Sequence, residues 1–72
     1  MDFIEREAAK AVSDKLKMIL PGLKAAYYCA KRLEYDYNWD VRSDQMCEAY
    51  MTLASAYLEV MESLEEDKEG AK

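Results

Sequence analysis

The chain has no histidine, and among its 72 residues proline, tryptophan and phenylalanine occur once each and glycine and cysteine twice each. Without histidine there is no Ser/His/Asp or Cys/His relay, no histidine-ligated zinc and no carboxylate–histidine di-iron centre of the helical-bundle kind. An imidazole switch near neutral pH is excluded as well. Two cysteines, Cys29 and Cys47, make no disulfide framework, and as small apolar side chains both are expected to be buried thiols. Neither has a base in the chain to activate it, so no enzymatic activity, cofactor or small-molecule substrate is expected.

Long apolar runs are missing too. The longest extend only a few residues, and Asp2, Glu5 and Glu7 interrupt the start, so neither a membrane span nor a secretory leader is expected. A reducing cytoplasm is the expected compartment. Positive charge thins out along the chain. Residues 1–42 hold eight Lys or Arg against seven acids, a balance of +1, and residues 43–72 hold two against eight, a balance of −6, which sum to the net −5. Such a chain lacks the broad basic footprint of a general nucleic-acid binder, although a small local patch is compatible with it.

What is present is helical periodicity. Asp2 is placed to cap a first helix whose stripe runs Ile4, Ala8, Ala11, Val12, Leu16, Ile19. Pro21 and Gly22 then break the pattern, with a bent, nearly continuous helix as the alternative. A second helix is expected over 23–37, with Leu23, Ala26, Tyr27, Ala30, Leu33 and Tyr37 on one face. Asp36, Asn38 and Asp40 around Trp39 suit a turn whose side chains cap the next helix. The third helix, 41–66, carries a doubled apolar arc of roughly 220°. One seam contains Met46, Ala49, Tyr50, Leu53, Ala56, Tyr57, Val60 and Leu64, and beside it runs a second through Cys47, Met51, Ala54, Leu58 and Met61. The sequence thus predicts an all-α fold, an antiparallel three-helix bundle over residues 1–66 made of helices 2–20, 23–37 and 41–66, with a disordered acidic tail at 67–72.

Several constellations carry possible chemistry. Asp36, Asn38, Asp40 and Asp44 match half of an EF-hand calcium loop, but Val41 stands where the loop needs Gly and Cys47 where it needs a bidentate Glu, so no metal site is expected. Glu59, Glu62 and Glu66 share a face at spacings of three and four, which suits a solvated surface or a basic partner. Lys24, Tyr28, Lys31, Arg32 and Tyr35, with Trp39 beyond them, form a mixed basic and aromatic strip able to hold an acidic protein or to stack on single-stranded nucleic acid. Small residues at Ala49, Ala56 and Ser63, seven apart, let another helix approach closely.

A chain this short sits where one core barely outweighs conformational entropy, so a partner adds disproportionately to stability. The second seam of the last helix, Cys47, Met51, Ala54, Leu58 and Met61, is therefore the expected homodimer interface. The expected function is a small protein-binding regulator, inhibitor or assembly factor that pairs with itself and with another protein. It matches in size and composition the short acidic helical proteins of phages and plasmids. The alternatives are a nucleic-acid-associated regulator using the strip from Lys24 to Trp39, and an acidic decoy of the viral-inhibitor type using Glu59, Glu62 and Glu66. No membrane partner is expected.

Overall fold

The computed structural model describes the backbone of residues 1–70 and the side chains of residues 1–67. The fold is all-α, but it has two helices in place of the three expected. Helix α1 is Phe3–Tyr37 and helix α2 is Ser43–Gly70, and they lie antiparallel as one hairpin 56 Å long and 14 × 12 Å in section. The predicted tail starts within α2, whose helix continues through residues 67–70, and its last two positions lie outside the described residues.

The break expected at Pro21–Gly22 does not occur, because α1 passes through both. Pro21 deprives the Lys17 carbonyl of its i+4 donor, a cost of up to about 3 kcal/mol in a helix interior. Pro21 is on the exposed side of α1, where water can take the place of the missing donor. Leu16, Leu20 and Leu23, half-buried on the opposite side, carry the packing against α2 straight through the proline.

The inward positions of both helices repeat in steps of three and four. On α1 they are Arg6, Ala9, Ser13, Leu16, Leu20, Leu23, Tyr27, Ala30 and Glu34, and on α2 Ser43, Met46, Tyr50, Leu53, Tyr57, Val60, Leu64 and Asp67. This is the seven-residue repeat of a coiled coil, so each flank of each helix also repeats every seven residues. The predicted main seam of α2 is the one that packs inward, except that Ala49 is exposed and Ala56 lies at its edge. On α1 the expected stripe is largely turned outward. Ile4, Ala8, Ala11, Val12 and Ile19 are exposed, Ile4 at 79% and Ile19 at 51%, and of the predicted residues before Pro21 only Leu16 faces α2.

Small residues explain why the less apolar side of α1 faces in. Ala9, Ser13 and Ala30 let the helix axes approach, with Ala9 beside Val60 and Ser63. The buried Ser13 hydroxyl is satisfied within its own helix, donating to the Lys10 carbonyl at 2.9 Å. Among the described side chains Ala30 is the only apolar residue that the hairpin buries, and Ser13 and Ser43 are its buried polar residues.

Polar clasps close the seam at both ends. At the open end Arg6 Nη1 donates to Asp67 Oδ2 at 2.7 Å, and the Met1 amino group lies 3.2 Å from Asp67 Oδ1. At the tip the Glu34 carboxylate on α1 accepts from the Ser43 amide at 3.1 Å and from the Ser43 hydroxyl. Between these helices the chain turns in five residues. Asn38 takes a left-handed conformation, φ 58° and ψ 36°, and the amides of Asn38 and Trp39 return to the Leu33 carbonyl. Arg42 is also left-handed, φ 55°, and its carbonyl accepts from the Gln45 and Met46 amides to start α2.

Candidate interaction site

The heptad geometry gives the hairpin two broad faces, one on each side of the plane through the helix axes. Glu5 and Ser63 line one shallow groove together with Ala9 and Val60. Val12, Ile19 and Ala26 follow Glu5 at steps of seven, and Ala56 and Ala49 precede Ser63 at the same step, so all of these lie along that face. Ile4, Ala8, Ala11 and Met18 extend it around the exposed side of α1. The result is a surface apolar along α1 beyond Glu5 and bordered on α2 by small side chains and Glu59.

The opposite face carries a groove of about 200 Å³ lined by Lys24, Tyr27, Tyr28, Cys47, Tyr50 and Met51. Lys10, Lys17 and Lys31 share the flank of Lys24 at heptad steps, and Leu58 shares the flank of Met51. Met51 is 64% exposed and Leu58 60%, while Cys47, Ala54 and Met61 are half-buried where this flank meets the intrachain seam. The predicted second seam is therefore a surface row of Met51 and Leu58 supported by three partly covered neighbours.

The structure brings together only part of the basic and aromatic strip. Lys24, Tyr28, Lys31 and Tyr35 follow one flank of α1. The Lys31 ammonium stands 5.9 Å from the centre of the Tyr27 ring, and the Tyr27 and Tyr28 rings meet edge to face at 5.4 Å. Arg32 lies on the outer side of α1, paired with Asp36 at 3.4 Å, and Trp39 is exposed in the connection. Cys29 is exposed on α1, contrary to the expectation of a buried thiol, and Cys47 is half-covered.

Three of the four calcium-like residues take part in other contacts. Asn38 caps α1, Asp36 pairs with Arg32, and Asp44 pairs with Arg42 at 3.7 Å. Among the described residues no group of three or more Cys, Asp or Glu side chains is arranged to hold a metal ion. No described helix is long and apolar enough to cross a membrane.

The perturbed ionisable groups belong to the two clasps. The Ser43 hydroxyl and then its amide hold the Glu34 carboxyl below the usual carboxylate range. The Met1 amino group and Arg6, by hydrogen bonds, lower Asp67 in the same way, and Asp67 in turn raises the Met1 amine. These shifts come from contacts that join the ends of the two helices. The clasp at the tip has no local signal in the sequence, since Glu34 reaches nine residues ahead. Continuing the inward repeat of α1 to its end places an acid there.

Compared with protein-family models, with curated proteins and with solved structures, the chain matches none of them.

Proposed function

We propose that this protein is a non-enzymatic helical interaction module that works as a homodimer, two hairpins stacked as a four-helix bundle, and that it regulates or assembles another protein by binding it. One observation carries the reading. The chain exposes 5837 Å² to solvent, whereas a compact protein of its mass exposes about 4,600 Å². Its radius of gyration is 16.5 Å, against about 11 Å for a compact domain of this length. If each copy covers the excess, roughly 1,200 Å², the dimer buries about 2,400 Å² in total, within the range of obligate dimers.

The face bearing Val12, Ile19, Ala49 and Ala56 is the better self-association surface. Its α1 side exposes Val12 and Ile19, and its alanines permit close helix approach. Pairing there leaves the Met51 and Leu58 side for a different protein. The sequence-based assignment of pairing to Cys47, Met51, Ala54, Leu58 and Met61 is the competing version, and the same experiment separates them. Mass in solution is measured for the wild type, Ile19→Asp and Leu58→Asp. Dimeric wild type with only Ile19→Asp dissociated supports the proposed face, and dissociation by Leu58→Asp alone supports the other. A wild type that stays monomeric at all concentrations refutes both.

A further inference from the structure

We propose that the groove between the lysine flank of α1 and the Met51 and Leu58 row of α2 takes an amphipathic helix from another protein, one with a heptad apolar stripe edged by acidic residues. The inference deepens the partner half of the proposed function and rests on self-association through the other face.

Three features of the groove define the occupant. First, both walls repeat every seven residues, Lys10, Lys17, Lys24 and Lys31 on one side and Met51 and Leu58 on the other, and a helix packing along the hairpin presents side chains with the same period. An extended peptide alternates every two residues and would fall out of step within a few residues. Second, the floor and the α2 wall are apolar, through Tyr27, Tyr50, Cys47 and Met51, so the occupant must bring apolar side chains to that side. Third, the α1 wall is exposed and, apart from Lys10, which pairs with Glu7 at 3.8 Å, offers its lysines Lys17, Lys24 and Lys31 to an occupant, which favours Glu or Asp on the edge that faces it. Methionine at the contact, as at Met51, adapts to different apolar side chains.

Charge on the rest of the hairpin argues against nucleic acid in this groove. The lysines form one line on a protein of net charge −5, and eight acids lie from residue 43 onward. A polyanion that follows the lysines for several phosphates would run beside that acidic helix. A short acidic helix touches only the lysine wall and the apolar floor.

The test uses a synthetic three-heptad peptide with leucine on its inner positions and glutamate on one edge. Its controls are a twin with lysine in place of glutamate and an oligothymidylate. Binding to the full-length protein is followed by fluorescence anisotropy. The glutamate peptide is expected to bind, to weaken with added salt, and to weaken about tenfold with Lys17→Glu/Lys24→Glu. These two exposed substitutions leave the seam untouched, and circular dichroism checks that the fold is retained. Met51→Asp is expected to abolish binding. Equal binding of the lysine twin, indifference to Lys17→Glu/Lys24→Glu, binding of the oligonucleotide alone, or no binding of any probe would each overturn the inference. Dissociation of the wild-type dimer by Leu58→Asp would overturn it as well, since a second copy would then fill the groove.

Discussion

Glu34 and Ser43 fasten the tip of the hairpin, the carboxylate on α1 accepting from both the amide and the hydroxyl of the first residue of α2. A carboxylate near the end of α1 sits at the unfavourable end of that helix dipole. The N-terminus of α2, with its unpaired amides, supplies the compensating field. Ser43→Ala is expected to lower stability by about 1 kcal/mol, the usual net loss of one intramolecular hydrogen bond. Glu34→Gln is expected to destabilise as well. In chemical denaturation a double-mutant cycle between the two positions checks the coupling, which must be non-zero if the contact forms.

Acid dependence arises from this contact and from the clasp at the open end. Glu34 and Asp67 have folded-state acidities held below their ordinary values, so each contributes stability that is present above the unfolded carboxylate range and is lost as pH falls through the lowered folded values. The Met1 amine is raised, so its contribution is present below its ordinary value and is lost as pH climbs through the raised one. Thermal midpoints are therefore expected to be highest between the carboxylate and amine ranges. Glu34→Gln should flatten the acid limb and leave the alkaline limb unchanged.

Proline in the middle of α1 is a removable cost. Pro21→Ala restores a donor to the Lys17 carbonyl and is expected to add about 2 kcal/mol, allowing for the more flexible unfolded chain. For a domain of this size that raises the melting midpoint by roughly 10 °C. Gly22→Ala adds a further ~0.5 to 1 kcal/mol, since nothing lies within 4 Å of the position its Cβ would take. Both are checked by calorimetry. A fall in stability with Pro21→Ala would contradict this account of the proline.

Arg42 is held at φ 55°, where a side chain costs about 1 kcal/mol or more. Arg42→Gly is expected to raise the denaturant midpoint slightly, with the unfolded-chain entropy of glycine taking back part of the gain.

How much of the hairpin is legible in the sequence varies by residue. The all-α class, the turn around Asn38 and the inward seam of α2 through Met46, Leu53 and Val60 are legible, because α2 keeps its bulkiest apolar residues on the side that packs. The single helix through Pro21 is visible only as an alternative, because local rules score the proline and cannot see the leucines that carry packing past it. The inward side of α1 escapes a sequence reading for another reason. Periodicity selects the most apolar arc, which is Ile4, Val12 and Ile19, whereas a two-helix contact selects small residues that allow close approach. The Met51 and Leu58 row is legible as an apolar excess. Its lysine wall is only half visible, since a helix break at Pro21 separates Lys10 and Lys17 from Lys24 and Lys31.

The outward arc of α1 is the surface on which self-association stands or falls. Light scattering or sedimentation of the wild type from nanomolar to high micromolar concentration, beside Ile19→Asp, reads it directly. The expected result is twice the 8.3 kDa chain mass for the wild type and the single-chain mass for Ile19→Asp. A wild type that remains at the single-chain mass throughout, with its α1 arc open to water, would contradict the account.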